Sequence, residues 1–208
     1  MAVTTHGELA RRLQGLNVYL VGMMGAGKSA VGRPLAEALG YRFLDADTAL
    51  ESVAGRTIPE IFASDGEAAF RDLETAVLGQ IAGWHSLVVA TGGGAVTRPQ
   101  NWGHLRQGVV VWLDAPAELL LARLRRDPCR RPLLNDDDPE IRMQALLAQR
   151  LPLYDQADLR ILQGEAQPQQ VAEQVLEALP GILRQCPKPP ASGLQLQDAE
   201  SRITPSLN

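Results

Sequence analysis

The residues best suited to chemistry form a glycine-rich run that ends in a lysine and a serine, Gly22-Met23-Met24-Gly25-Ala26-Gly27-Lys28-Ser29. The run has the spacing G-x-x-x-x-G-K-[ST], in which glycines let successive backbone N–H groups point at one anion. In such a loop the lysine reaches the β- and γ-phosphates of a nucleotide, and the hydroxyl holds Mg²⁺. The pattern therefore predicts a phosphate-binding loop.

Two aspartates at the end of the second apolar run, Asp45 and Asp47, are the next candidates. On an extended segment, this spacing places both carboxylates on one face. Beside a magnesium–nucleotide site, Asp45 would approach the metal through water, and Asp47 would receive an acceptor hydroxyl and its proton. The alternative interpretations are that Asp47 only caps a helix and that both carboxylates are simply solvated.

Three charged residues, Glu67, Arg71 and Glu74, share one face of a predicted helix. They can form an ordinary exposed charge cluster, which would contribute little. In the functional interpretation, Arg71 binds a substrate carboxylate through its planar fork and Glu74 fixes its orientation. The segment alone does not decide between the two.

A glycine triplet and an arginine complete the candidates. Gly92, Gly93 and Gly94 follow the third apolar run, where they permit close approach of the backbone to a ligand or form only a tight turn. Arg150 ends a predicted helix, and a cation is favourable there in any case. Residues 125–138 form a charged segment with two prolines, which is typical of a functional lid but also of a solvated loop.

The elements that must position these residues alternate along the chain. Strand-like runs are predicted at 18–21, 42–45, 87–90, 109–113 and 159–162. Helix-like segments are predicted at 30–39, 47–52, 59–63, 67–82, 117–124, 139–151 and 169–179. This alternation predicts an α/β fold with a parallel sheet covered on both faces, and a site at the carboxyl ends of the strands.

Length and composition set limits. The 208 residues fit one domain at 16–184, preceded by a loose arm or short helix at 1–15 and followed by a disordered tail at 185–208. The net charge of −4 argues against a nucleic-acid-binding face, and no apolar run is long enough to span a bilayer. Cys129 and Cys186 have no metal-ligand spacing, which is consistent with a reducing cytoplasm.

Taken together, the motifs resemble those of the shikimate kinases, small P-loop kinases of aromatic amino-acid biosynthesis. The resemblance covers residues 16–178 and rests on six motifs in order. They are G-x-x-G-x-G-K-S at 22–29, F-x-D-x-D at 43–47, F-R-x-x-E at 70–74, G-G-G at 92–94, R-P-L-L at 131–134 and R-x-P-L-Y at 150–154.

The resemblance implies transfer of the γ-phosphoryl group of ATP to the 3-hydroxyl of shikimate. It implies a three-layer α/β/α fold with five parallel strands and a mobile lid. From the composition and charge we also expect a cytoplasmic protein without nucleic-acid or membrane partners, and we expect a monomer. Catalytic roles fall to Asp47, Lys28 and Arg131. Shikimate would be held by Asp47, Arg71, Gly92, Gly93, Gly94 and Arg150. ATP would be held by Gly25, Ala26, Gly27, Lys28, Ser29, Ala30, Arg126 and Arg131, and one Mg²⁺ by Ser29 and Asp45.

Two departures from the family pattern bear on these expectations. Ala30 stands where members often carry a second hydroxyl residue, so one hydrogen bond to the α-phosphate is expected to be absent. The resemblance assigns Arg126 to stacking on the adenine of ATP. The lid differs in length from that of some relatives, and this weakens the match at Arg126. A gluconate kinase and a nucleotide-binding regulatory module without turnover are the alternatives, whereas the absence of an N-K-x-D segment disfavours a GTPase.

Overall fold

The computed structural model describes residues 6–126 and 139–183. The predictions for Arg131, for lid positions 127–138 and for the tail at 185–208 therefore lie outside the described residues, as do positions 1–5 of the arm.

Five parallel strands form one sheet with the order β2-β3-β1-β4-β5. The strands are β1 (Val18–Val21), β2 (Arg42–Asp45), β3 (Leu87–Ala90), β4 (Val109–Asp114) and β5 (Leu159–Leu162). Leu20 of β1 lies opposite Ala90 of β3 and Val111 of β4, and Asp45 of β2 also lies opposite Ala90. This register brings the carboxyl ends of β1, β2 and β3 to one edge of the sheet. The predicted fold class is confirmed, and β4 is one residue longer than predicted.

Nine α-helices surround the sheet within the described residues. They are α1 (His6–Leu13), α2 (Lys28–Leu39), α3 (Ala46–Ala54), α4 (Ile58–Ser64), α5 (Gly66–Ala82), α6 (Pro99–Leu105), α7 (Ala117–Arg126), α8 (Pro139–Tyr154) and α9 (Pro168–Ile182). The seven predicted helices are all present, with ends that shift by at most three residues. None of the helices in residues 6–126 and 139–183 is both long and apolar enough to cross a membrane.

Two helices were not predicted as such. The sequence predicted either a loose arm or a short helix at 1–15. The described part contains the short helix α1, whose Leu9 and Leu13 are buried. Helix α6 follows a 3-10 turn at Ala95–Thr97. Its side chains hold it there, because Asn101 Nδ2 donates to Ala95 O (2.7 Å) and Trp102 Nε1 donates to Val96 O (3.0 Å).

The sheet separates two hydrophobic cores because successive strand side chains point to opposite faces. Val18 and Leu20 of β1 belong to the first core, with apolar side chains of α1, α2, α7 and α9. Tyr19 and Val21 belong to the second core, with side chains of α3, α4, α5 and α6. Helices on both faces of the sheet can therefore contribute residues to the edge where the strands end.

Candidate active site

The glycine-rich loop connects β1 to α2 and depends on its glycines. Gly22, Gly25 and Gly27 have positive φ angles of 145°, 81° and 76°. Residues with a side chain rarely adopt such angles. A Cβ at Gly22 would lie 2.5 Å from Leu113 O. Gly27 precedes α2 without a side-chain cap, so the first N–H groups of the helix face the loop. This arrangement is suited to binding a phosphate.

Lys28 curls back over the loop at the start of α2. Its Nζ donates to Gly22 O at 2.8 Å and to Met23 O at 3.0 Å. The next residue, Ser29, donates its Oγ hydrogen to Asp45 Oδ2 at 2.5 Å. The ammonium group thus contacts the loop itself, and the hydroxyl contacts a carboxylate from β2.

Asp45 is the residue that caps α3. Its Oδ1 accepts hydrogen bonds from Asp47 N at 3.0 Å and Thr48 N at 3.3 Å. The alternative interpretation of Asp47 as the cap is therefore wrong, and Asp47 stands in the first turn of the helix. Its carboxylate lines the same cavity as Lys28 and Ser29.

Arg71 and Glu74 form a buried ion pair on α5. Their exposed fractions are 7% and 4%, and Arg71 Nη1 lies 2.8 Å from Glu74 Oε2. Arg71 Nη2 also donates to Glu67 Oε1 at 3.2 Å, at the exposed side of the pair. An exposed charge cluster is thus the wrong interpretation for Arg71 and Glu74. Burial raises the pKa of Glu74, and the nearby Arg71 opposes that rise.

Residues 92–94, which we call the glycine wall, press against these charged groups. A Cβ at Gly92 would lie 2.6 Å from Glu74 Oε1 and 2.8 Å from Asp47 Oδ1. A Cβ at Gly94 would lie 2.5 Å from Arg71 Nη1. The wall also makes a tight turn, since Ala95 N donates to Gly92 O at 3.1 Å. Glycine is therefore needed for close approach as well as for the turn.

Arg150, which the sequence could place only at the end of α8, also reaches the glycine wall. It is 4% exposed, and its Nη1 donates to Gly93 O at 3.1 Å. Its buried Nε has no hydrogen-bond partner within the described part of the chain, and the same is true of Glu74 Oε1. A buried guanidinium with an unused donor is costly unless a ligand supplies the acceptor.

A cavity of about 430 Å³ joins the phosphate loop to the acceptor side. Its lining includes Lys28, Ser29, Asp45, Asp47 and Gly93. Of the residues predicted to hold the acceptor, Asp47 and Gly93 line this cavity, whereas Gly92, Gly94, Arg71 and Arg150 do not. Arg71 and Arg150 lie against the glycine wall, at Gly94 and Gly93. The structure therefore brings the loop, the two aspartates, the wall and both arginines to one edge of the sheet.

A second cavity of about 510 Å³ adjoins the first along α7 and the start of α9. Gly27, Ala30 and Arg126 line it, as does Arg123, which also lines the first cavity. Sequence analysis did not identify Arg123, because Arg123 is one of several basic residues in the last turn of a helix.

Gln163, just after β5, is a further residue that sequence reasoning missed. Its Nε2 donates to Ala26 O at 2.9 Å, and its Oε1 accepts from Arg123 Nη1 at 3.0 Å. No motif marks a single glutamine after a strand, so only the fold could reveal this bridge between the phosphate loop and α7.

Comparison with known proteins adds independent findings. A family model described as shikimate kinase matches residues 24–180. The shikimate kinase of Synechococcus sp. (strain RCC307) is 60% identical over 177 residues, which are 85% of this chain and 90% of that protein. The shikimate kinase of Synechococcus sp. (strain CC9605) is 54% identical over 176 residues, which are 85% of this chain and 88% of that protein. A solved structure, the shikimate kinase from Acinetobacter baumannii in complex with shikimate, is 43% identical with a TM-score of 0.79, and the match covers 83% of this chain and 97% of that one.

Proposed function

We infer that this chain, which belongs to the shikimate kinase family, transfers the γ-phosphoryl group of ATP to the 3-hydroxyl of shikimate. It is a phosphotransferase of aromatic amino-acid biosynthesis with ATP as its co-substrate. The roles of individual residues proposed below rest on the geometry of the site.

The observation that carries the assignment of the acceptor side is a pair of buried arginines on the glycine wall. Arg71 contacts the wall at Gly94, and Arg150 contacts it at Gly93. Two guanidinium groups buried beside a phosphate loop favour a small anionic acceptor, because a carboxylate can accept two parallel hydrogen bonds from such a fork. We propose that these arginines bind the carboxylate of shikimate and that the backbone of Gly92, Gly93 and Gly94 lies along its ring.

Asp47 is the group proposed to act on the reacting hydroxyl. Its Oδ1 lies beside Gly92, and Asp47 lines the same cavity as Lys28. A carboxylate placed there orients the attacking hydroxyl and accepts its proton. Phosphoryl transfer passes through a loose transition state, so this positioning and the neutralisation of charge do most of the work.

The phosphates of ATP are proposed to bind at residues 25–30. The first N–H groups of α2 and the loop amides would donate to the phosphate oxygens. Lys28 would exchange its present acceptors, Gly22 O and Met23 O, for phosphate oxygens. Because Ala30 has no hydroxyl, backbone donors would have to serve the α-phosphate.

The oxygen donors at the end of β2 fit Mg²⁺. Ser29 Oγ and Asp45 Oδ2 are hard oxygen ligands that already meet at 2.5 Å, and Mg²⁺ prefers one or two such ligands together with water and phosphate. We propose that Ser29 and Asp45 hold the ion. When bound, Mg²⁺ supplies neutralisation of charge on the transferring phosphate.

The second cavity is proposed to receive the base of the nucleotide. Arg126, which the family resemblance assigns to adenine stacking, lines this cavity, and Arg123 lines both cavities, so we add Arg123 to the proposed nucleotide contacts. Arg131, proposed as the lid arginine, lies outside the described residues. The domain boundaries, the monomeric state, the cytoplasmic location and the lack of nucleic-acid or membrane partners stay predictions from the sequence.

The test is a coupled assay of ADP release from ATP with the full chain and three acceptor conditions. We expect release that depends on shikimate, and no release with gluconate or without an acceptor. Lys28→Met serves as the control for contaminating kinases, and it should abolish the shikimate-dependent rate. Release that depends on gluconate would contradict the acceptor assignment, and release with neither would favour a regulatory nucleotide-binding module.

A further inference from the structure

Two buried donors converge on a single carbonyl oxygen of the glycine wall. Gly93 O accepts a hydrogen bond from Tyr154 OH at 2.6 Å and another from Arg150 Nη1 at 3.1 Å. The two donors stand one turn apart on α8, and Tyr154 is only 1% exposed. Both also approach Met23 Sδ, Tyr154 OH at 3.8 Å and Arg150 Nη1 at 3.7 Å.

The tyrosine is held firmly in this position. Its ring stacks on Trp112 of β4 with centroids 5.7 Å apart and an angle of 20° between the rings. The Arg160 guanidinium lies 4.3 Å from the Trp112 ring centroid and pairs with Asp114 at 2.7 Å. Burial raises the pKa of Tyr154 to about 12, so its hydroxyl keeps its proton at neutral pH. The hydroxyl therefore always has a proton to donate, and Gly93 O, at 2.6 Å, is its nearer acceptor.

Arg150, by contrast, is expected to give up its hydrogen bond to Gly93 O when the acceptor binds. It is the residue proposed to bind the acceptor carboxylate, and its Nε has no acceptor within the described part of the chain. If Arg150 turned away and no other donor were present, Gly93 O would become a buried carbonyl without a partner, which is costly. The hydrogen bond from Tyr154 OH keeps Gly93 O paired and so removes that cost.

The position of Gly93 matters for the geometry of transfer. Its Cβ position would lie 3.1 Å from Met24 N and 3.6 Å from Gly22 O, so this residue touches the phosphate loop directly. A shift of Gly93 would change the distance between the acceptor and the phosphates. Misplacement by about 1 Å is enough to reduce the rate strongly.

We propose that Tyr154 is a positioning residue for the acceptor, because its hydroxyl keeps Gly93 O hydrogen-bonded and so frees Arg150 to bind the carboxylate of shikimate. The inference rests on the proposed function and deepens it. Tyr154 itself touches no substrate in this scheme.

The test removes one hydroxyl group. In Tyr154→Phe, Arg150 is the remaining donor of the two, so binding of the carboxylate must compete with Gly93 O. We expect the KM for shikimate to rise about fivefold, the change that corresponds to one neutral hydrogen bond, and the KM for ATP to stay within about twofold. A titration of shikimate binding should give the same ratio.

Tyr19→Phe is the matched control. Tyr19 is another buried tyrosine, 0% exposed, whose hydroxyl accepts from Asn17 Nδ2 at 3.4 Å away from the glycine wall. It should lower stability without changing either KM. Equal kinetic effects of the two variants, or equal changes in both KM values for Tyr154→Phe, would overturn the inference.

A measurement on the wild-type chain covers the case in which Tyr154→Phe does not fold. The chain has three tyrosines, so labelling with 3-fluorotyrosine gives three ¹⁹F signals, assignable through Tyr19→Phe and Tyr41→Phe. Saturation with shikimate should shift the Tyr154 signal, and an unmoved signal would overturn the inference. Failure of the proposed function is distinguishable, since the wild-type chain would then lack shikimate-dependent turnover.

Discussion

A single methyl group at Gly94 should separate acceptor binding from nucleotide binding. The backbone of Gly94 has φ −98° and ψ 0°, so alanine meets no left-handed strain there. Its Cβ, however, would lie 2.5 Å from Arg71 Nη1 and 2.6 Å from Arg71 Cζ. Ordinary contacts begin near 3.4 Å, and the guanidinium would therefore have to move by about 1 Å.

The size of the effect follows from what that movement disturbs. A charge-assisted hydrogen bond contributes about 1.5–3 kcal/mol, which corresponds to roughly 10- to 150-fold in binding. Gly94→Ala should raise the KM for shikimate by a factor of about 10 to 100, with the KM for ATP nearly unchanged. Steady-state rates measured against each substrate, with the other saturating, give both constants.

Gly103→Ala is the control for this experiment. Gly103 lies within α6, and a Cβ there would meet nothing within 4 Å apart from its chain neighbours and the backbone of its own helix. Alanine at this position should leave both KM values unchanged and add about 0.5–1 kcal/mol to the free energy of unfolding. Thermal unfolding of both variants establishes that folded protein is assayed. An unchanged KM for shikimate in Gly94→Ala would refute the placement of Arg71 against the acceptor.

Three further predictions concern the carboxylates and the metal. Asp47→Asn should lower kcat by a factor of about 10² to 10⁴ while the Kd for ATP, measured by titration, stays nearly constant. Removal of Mg²⁺ with a chelator should abolish turnover, and Ser29→Ala should raise the Mg²⁺ concentration needed for half-maximal rate. Because burial raises the pKa of Glu74 above its ordinary 4.5, its contribution to stability is complete below that pH and is lost as pH rises through the native pKa. Urea unfolding from pH 4 to 7 should therefore show the wild-type chain losing stability relative to Glu74→Gln as pH rises.

Each of these predictions has a result that would contradict it. Near-normal turnover of Asp47→Asn would remove Asp47 from the reaction, and an unchanged Mg²⁺ requirement in Ser29→Ala would remove Ser29 from the metal site. Glu67→Gln changes the exposed partner of the same arginine and should not reproduce the pH effect of Glu74→Gln. Parallel stability curves for the wild type and Glu74→Gln would contradict the burial argument.

Local signals made most of the fold predictable. Short apolar runs such as Val18–Val21 and Leu87–Ala90 are fully buried in the sheet, so their composition reports their surroundings directly. The phosphate loop was also predictable, because its function depends on consecutive residues. Helix α6 was not predictable, because it has seven residues with a glycine inside and is fixed by hydrogen bonds from Asn101 and Trp102 to the preceding turn.

The geometry of the site depended on contacts that no local pattern reports. The charges of Arg71 and Glu74 did not indicate that both are buried, because residues distant in the sequence, Gly92 and Gly94 among them, pack close to them. Arg123 could not be distinguished from its basic neighbours, because its direction toward both cavities is set by how α7 packs. The sequence therefore identified most of the residues of the candidate site, but it did not reveal which residues they contact in three dimensions.

The division of the interior by the sheet has an evolutionary consequence. Helices α3, α4 and α5 form one uninterrupted stretch of chain and pack in the second core, whereas α2, α7 and α9 pack in the first. Substitutions within that stretch repack one side of the sheet and leave the other side as it was. Remodelling of residues 46–82 can thus alter the contacts to the phosphoryl acceptor proposed for Asp47 and Arg71, whereas the glycine wall, Arg150 and the phosphate loop lie outside that stretch.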